Sequence, residues 1–464
     1  MRKYLLAIPL LAALTSPRLL PAQTWQPIWE SLDKRPIPQW YKDAKFGIFI
    51  HWGVYSVPGY SKVGDYAEWY QHGLNSHDTL RIAYHKKKFG DLTYYQLADQ
   101  FKAELYDPDE WAHLFEQSGA KYVVLTSKHH DGFANWPSKE TAKAWDMPWN
   151  AAVTGPHRDL LGDLFTAIRK TSVHPGMYYS LYEWYNPLWL KDKPRYVAEY
   201  MWPQMKDLIT TYRPDVFWTD GDWEQPDTLW KSQQFLAWLY NESPVKDRVV
   251  TFDRWGKDIR FHHGGVYTPE YQPNLDFKGH YFEESRGMGF SYGYNRAEDA
   301  WNYNSPQSLI LALVDKVSRG GNFLLDIGPD EHGKIPPIME ERLLQIGDWL
   351  KINGEAIYGS VRWTRPSQGE LNRDSVKECF FTFNPQRKEL YVILPQWHPE
   401  FTIRDLSLPR AAVADLLDTH QPLTMTQQGK NVVINLPAFD PATITSRYAY
   451  VIRIQVTSPP MSLR

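Results

Sequence analysis

Apolar runs of strand length recur along this chain at 46–51, 122–127, 176–181, 215–219, 249–252 and 323–327, and stretches with helical spacing of apolar residues stand between them at 108–117, 160–171, 196–212, 230–240 and 308–317. Strand-length runs that alternate with helices over this length predict a parallel sheet. Six such runs, with weaker candidates near Val266 and at 280–283, favour a closed (β/α)8-like, TIM-type barrel over an open sheet. Pro203 inside 196–212 predicts a kink. After Pro336-Pro337 a helix is expected over 339–352, closed by Asn353-Gly354. Beyond Gly359 the pattern changes to short alternating strands at 378–383, 390–394, 432–436 and 448–456, which predict an antiparallel β-sandwich. The expected division is therefore a barrel domain over 23–359 and a C-terminal sandwich over 360–464.

In such a barrel the reactive groups sit where strands end, on the C-terminal face. His51 closes the first run, His129 and His130 follow the second, Tyr179 and Glu183 the third, Asp220 the fourth and Arg254 the fifth. Polar residues at so many equivalent places predict an active site in the barrel mouth. The densest place is Val216-Phe217-Trp218-Thr219-Asp220-Gly221-Asp222-Trp223-Glu224. Alternate strand side chains share a face, so Trp218 and Asp220 face together, joined by Asp222 and Glu224 if the chain stays extended. Carboxylates among indole rings suit a neutral polyhydroxylated ligand; the plainer reading is a strand that runs out into a solvated acidic turn.

A carboxylate such as Asp220 can attack an anomeric carbon, and retaining glycosidases place a second carboxyl about 5–5.5 Å away as acid and base. Glu283 and Glu284, at the end of Tyr281-Phe282, are candidates, and only one of them can face the pocket because strand neighbours diverge. Phe282 would supply the apolar contact that keeps a carboxyl protonated. Asp222, Glu224 and Glu270 are lesser candidates. His129-His130-Asp131 and His262-His263 lack the His-x-His spacing that lets two imidazoles of one strand share a metal, so no metal is expected and the histidines read as partners for ligand hydroxyls. No G-x-G-x-x-G turn, P-loop or G-x-S-x-G elbow is present; Gly287-Met288-Gly289-Phe290-Ser291 has similar glycine spacing with its serine misplaced.

Composition sharpens this in three ways. The chain carries Trp 21, Tyr 29 and Phe 20, rings whose apolar faces and polar edges match those of sugars, although most must serve the core. A formal net charge of −3, with no basic run longer than His85-Lys86-Lys87-Lys88, argues against a nucleic-acid partner. Cys379, the only cysteine, excludes an intramolecular disulfide and reads as a buried structural thiol. The N-terminus has the form of a secretory signal peptide: Met1-Arg2-Lys3, an apolar stretch over 4–14, and a small residue for cleavage near Ala22. Segment 1–22 is therefore expected to be removed and the protein secreted or periplasmic. The apolar stretch is too short for a membrane span, and no later segment reaches that length.

At these residues the chain resembles the α-L-fucosidases of glycoside hydrolase family 29. The resemblance runs from Trp40-Tyr41-Lys42-Asp43-Ala44-Lys45-Phe46-Gly47-Ile48-Phe49-Ile50-His51-Trp52-Gly53, through Lys128-His129-His130-Asp131-Gly132-Phe133, Trp218-Thr219-Asp220-Gly221, Asn241-Glu242-Ser243-Pro244 and Asp253-Arg254-Trp255-Gly256, to Gly320-Gly321-Asn322-Phe323-Leu324-Leu325-Asp326-Ile327-Gly328-Pro329 and Asn353-Gly354-Glu355-Ala356-Ile357-Tyr358. It implies a catalytic barrel followed by a β-sandwich, and retaining, cofactor-free hydrolysis of terminal α-L-fucose from fucosylated glycans. It implies Asp220 as nucleophile, with His51, Glu68, His129, His130, Tyr179, Trp218 and Arg254 lining the fucose pocket. It implies Glu283 as acid/base, from its spacing to Arg286-Gly287 and Ser291-Tyr292-Gly293-Tyr294, with Glu284 the alternative. A fucose-binding barrel without turnover, a glycosidase of other sugar specificity, and a homo-oligomer stay open at this point.

Overall fold

The computed structural model describes residues 24–272, 276–277, 279–371 and 376–456; the expected leader lies outside them. Six parallel strands, β1 (Phe46–Ile50), β2 (Tyr122–Lys128), β3 (His174–Ser180), β4 (Val216–Asp220), β5 (Glu283–Gly287) and β6 (Asn322–Ile327), pair in the order β4-β3-β2-β1-β6-β5. Single bridges Val216↔Val250, Phe252↔Val266, Tyr267↔Phe282 and Glu270↔Ser285 carry the circuit from β4 through 250–252 and 266–270 to β5. Eight strand positions thus close on themselves, which is the expected barrel. The 249–252 run enters by bridges and not as a ladder, because the chain soon turns through Gly264-Gly265, at φ +97° and +126°. The strand expected at 280–283 begins only at Glu283.

Alternation sorts every strand into an outer and an inner face. Phe46, Ile48 and Ile50 of β1 pack outward among the helices, whereas Phe49 packs inward with Tyr122, Val124, Tyr178, Trp218, Phe252, Val266 and Leu324. The inner set is a filled core and not a channel. It fixes which parity of each strand points at the mouth.

The helices are shorter or more divided than the apolar spacing predicts. The segment 196–212 is a π-helical turn over Val197–Met201 followed by Trp202–Tyr212, with Pro203 in the first turn of the latter, where a missing N–H costs nothing. The helix expected over 160–171 stops at Ile168, and that expected over 230–240 restarts at Ser232 after left-handed Lys231.

Strands β7 (Val361–Gln368), β8 (Cys379–Asn384), β9 (Glu389–Leu394), β10 (Glu400–Ile403), β11 (Val413–Leu416), β12 (Gln421–Gln428), β13 (Asn431–Asn435) and β14 (Tyr450–Gln455) form an antiparallel sheet in the order β10-β13-β12-β11-β14-β9-β8-β7. One face encloses its own core, with Phe381, Val392, Ile434 and Ile452, and includes the buried Cys379. The other face, through Phe380, Tyr391, Ile393 and Val451, joins the core of the barrel's helical layer. This is the C-terminal β-sandwich.

Candidate active site

A cavity of about 160 Å³ opens at the C-terminal mouth of the barrel. A cavity of about 150 Å³ accepts one six-membered ring, so this one admits a single sugar residue. Its deep wall consists of the last inward-facing positions of the strands. His51 continues the parity of Phe49, Asp220 that of Trp218, Arg254 that of Phe252, and Glu270 that of Val266 and Thr268. Its rim is set by partly exposed Tyr66, Trp69, Arg260 and Glu270 and by exposed Trp223.

Asp220 ends β4 just before Gly221, whose φ of +72° turns the chain sharply away and whose Cβ, if present, would lie 2.6 Å from the Tyr182 ring. Arg254 Nη1 donates to Asp220 Oδ1 at 2.6 Å, and the Tyr178 hydroxyl donates to Oδ2 at 2.8 Å. Burial alone would raise the Asp220 carboxyl, but the Arg254 guanidinium and the Tyr178 hydroxyl outweigh it and hold the group below its ordinary range. Arg254 Nη2 donates to Glu270 Oε1, and its Nε to Thr268 Oγ1 at 2.8 Å. One fully buried guanidinium therefore ties two carboxyls, one on the floor and one at the rim.

The three histidines stay neutral, because burial, joined at His130 by the Lys128 and Arg254 cations, pulls His51, His129 and His130 well below the ordinary imidazole value against the opposing pull of the Asp220 carboxylate on His51 and His129. Ser180 Oγ donates to the Tyr182 carbonyl at 2.5 Å, so His130 Nδ1, 2.6 Å from that oxygen, must be the N–H donor. Its Nε2, 3.6 Å from Asp220 Oδ2, is then a bare acceptor on the cavity side. His51 Nδ1 lies 2.6 Å from Asp326 Oδ1, one proton between them, while His129 Nδ1 is buried with no hydrogen-bond partner among the described residues. Glu68 is pushed up to about 7 by burial, opposed by the N–H of Gly293 and the hydroxyl of Ser291. Neutral imidazoles and a near-neutral carboxyl recognise hydroxyl groups better than anions.

Of the expected site residues, Asp220, His51, Glu68, His129, His130, Trp218 and Arg254 all line the cavity. Tyr179 does not. Its hydroxyl faces outward to Gln204 Oε1 at 2.9 Å, beside the buried Lys128–Glu183 pair, and Tyr178 takes the cavity position. A one-residue slip moves a side chain to the opposite face of a strand. Neither Glu283 nor Glu284 reaches the cavity. Glu283 faces inward but opens β5, two residues before cavity-lining Ser285, so it lies beneath the floor; Glu284 faces outward and binds Arg286. Besides Asp220 the cavity is lined by two carboxyls, Glu68 and Glu270, and Glu270 is the one that shares the Arg254 guanidinium with Asp220. Asp222 and Glu224 fall in a 3-10 turn after Gly221, Asp222 buried beside the site and Glu224 exposed, and neither lines the cavity. Pro269 hides Glu270 from a strand reading, although its parity with Val266 was available. Tyr66, Trp69 and Arg260 carry no periodic signal.

A larger cleft, about 1240 Å³, opens at the other end of the barrel, beside Lys45, Tyr281 and Gly320 at the starts of β1, β5 and β6. Its acids are tied to neighbours, Asp33 to His263, Asp43 to Gln39 and Asp276 to Arg362.

A family model described as Alpha-L-fucosidase matches residues 13–355. Tissue alpha-L-fucosidase of Homo sapiens is 41% identical over 463 residues, covering 97% of this chain and 96% of that protein. Alpha-L-fucosidase of Dictyostelium discoideum is 46% identical over 359 residues, covering 74% and 76% respectively. Among solved structures, a Thermotoga maritima alpha-fucosidase in complex with a mechanism-based inhibitor shares a TM-score of 0.81 and 36% identity, over 93% of this chain and 99% of that one. A Thermotoga maritima alpha-fucosidase in complex with fucose gives 0.79 and 35%, over 93% and 100%.

Proposed function

The chain belongs to the alpha-L-fucosidase family and is a glycoside hydrolase of that activity; from this premise we propose that it cleaves terminal α-L-fucose by double displacement, with retention of anomeric configuration. The observation that carries this reading is the single Arg254 fork on both Asp220 and Glu270 within a one-ring cavity. A shared fork keeps two carboxyls close, on the side of the short separation of about 5–5.5 Å and not the longer one that leaves room for a water between them.

Asp220, kept ionised on the floor, attacks the anomeric carbon as the glycosidic C–O bond breaks, forming a fucosyl ester. Glu270 at the rim donates its proton to the departing oxygen. Glu270, left as the carboxylate by that transfer, next takes a proton from water. That water attacks the anomeric carbon from the face the leaving group vacated and releases Asp220, so two inversions give retention. Neutral His51, His129 and His130 hold the sugar hydroxyls, and Trp218 packs against the apolar side of the ring.

The test is hydrolysis of an aryl α-L-fucoside by wild type and Asp220→Gly, with the first-formed anomer followed by NMR. We expect kcat to fall roughly 10³-fold or more in the variant and the α-anomer to appear first. Wild-type turnover in Asp220→Gly, or an inverted first product, would remove the mechanism. Glu270→Ala should slow fucosides with poor leaving groups far more than activated ones. The basic start and apolar stretch of 1–14 further support export, with cleavage near Ala22; N-terminal sequencing of the mature protein checks this.

A further inference from the structure

We propose that Glu283 is a positioning residue of this site: from beneath the cavity floor its carboxylate anchors the indole of Trp218, and through that ring it sets the guanidinium of Arg254. The inference rests on the assignment of Asp220 and Glu270 above.

Glu283 is buried among neutral donors. Its Oε2 accepts from the Tyr41 hydroxyl at 2.5 Å and from the Tyr122 hydroxyl, and its Oε1 accepts from Trp218 Nε1 at 3.1 Å. Among the described residues it has no ion-pair partner. Burial pushes its carboxyl up to about 7, while the three donors on its two oxygens oppose this and favour the charged form, and burying such a group without a cation costs more than filling the space with an apolar side chain. The surrounding sequence is arranged to hold it. Tyr41 comes from the short helix Gln39–Ala44, and the Tyr122 ring crosses the barrel where a Cβ on Gly47 would come within 2.3 Å of it.

Trp218 transmits this anchoring. Its ring is packed by Phe49, Tyr178 and Phe252, and the Arg254 guanidinium carbon lies 4.4 Å from the ring centre. A carboxylate on the indole N–H enriches the π face beneath a cation and also attracts that cation through the ring. A neutral group in its place leaves Arg254 less firmly seated over both carboxyls. Both the attack and the proton transfer then suffer together, whatever the leaving group.

The experiment compares wild type with Glu283→Gln on aryl α-L-fucosides of graded leaving-group acidity, with indole-15N tryptophan labelling to follow Trp218, assigned from Trp218→Phe. We expect kcat to fall roughly tenfold or more by the same factor across the series, with KM changed less than about threefold, and the Trp218 N–H resonance to move upfield as a charge-assisted bond is lost. Tyr41→Phe, remote from the cavity, should move the resonance and kcat in the same direction by less. Unchanged kcat and resonance in a folded Glu283→Gln would overturn the proposal, as would a loss of activity that merely tracks the unfolded fraction. A loss confined to poor leaving groups would make Glu283 the acid/base instead. Failure of the underlying reading looks different: a wild type that turns over no α-L-fucoside, or a Glu270→Ala that is equally slow on every leaving group.

Discussion

Tyr178 and Tyr179 differ by one position and have different jobs. Tyr178 donates to Asp220 and helps keep that carboxyl low, so Tyr178→Phe should raise its pKa. Because the nucleophile works ionised, the acidic limb of the kcat/KM profile should then move to higher pH. Tyr179→Phe should leave that limb in place and cost about 1 kcal/mol of stability from its lost bond to Gln204. Asp222 supplies a second contrast. Burial pushes it up to about 7, and its Oδ1 finds no partner among the described residues. Its folded-state pKa exceeds the unfolded one, so the folded protein binds the proton more tightly and loses stability as pH rises from about 4 to about 7. Asp222→Asn removes this penalty. Its unfolding free energy should exceed that of wild type at pH 8 by on the order of 4 kcal/mol, and the gain should vanish near pH 4. A variant less stable than wild type at pH 8 would contradict this.

At the scale of elements, parity and depth along each strand decide what reaches the cavity. The outward face of β2 and the turn after β3 carry the fully buried Lys128–Glu183 pair at 2.7 Å, joined by Trp145 and Asn186 on the same carboxylate. Lys128→Met strands that carboxylate and should cost roughly 3–5 kcal/mol in denaturant unfolding, although neither residue touches the cavity. The sequence made β1, β2, β3, β4 and β6 legible because strands buried on both faces are continuous apolar runs, and the strand-end rule then gave Asp220, His51, His129, His130 and Arg254. Glu270 and Glu283 show where that reading stops. A strand position broken by Pro269 carries no run, so the sequence ranks Glu270 only among the lesser carboxyl candidates. Glu283 had the right parity, but parity says nothing of height, and a residue that opens a strand lies at the opposite end of its inner face from one that closes it. Tyr178 and Tyr179 failed the other way, since two adjacent tyrosines leave parity undetermined until the register of β2 and β3 is known.

The whole molecule couples two architectures through one apolar layer. No described residue of the sandwich lines the cavity, yet its outer face shares a continuous core with the barrel helices. Polar ties fix the same seam: Trp349 Nε1 donates to the Ala449 carbonyl at 2.9 Å, Asn353 Nδ2 to Ser446 Oγ at 2.9 Å, Thr382 Oγ1 to the Ala356 carbonyl at 2.6 Å, and Arg453 pairs with Glu355 at 3.1 Å. The boundary expected at 359/360 lies between the two sheets, and the shared core predicts that the two parts unfold as one. The helix Pro337–Asn353 would expose Trp349 and Leu350 to water without the sandwich, and the sandwich would expose Phe380, Tyr391, Ile393 and Val451 without the helix. Loss of activity and loss of sandwich structure should then occur in one calorimetric transition. Trp349→Ala opens a cavity at the seam and should cost roughly 3–5 kcal/mol. It should lower both melting readouts together while leaving KM for an aryl fucoside unchanged at temperatures where the variant is folded. Two resolved transitions, or a midpoint for activity that stays fixed while that of the sandwich falls, would show that the domains fold apart and that the barrel holds its site unaided.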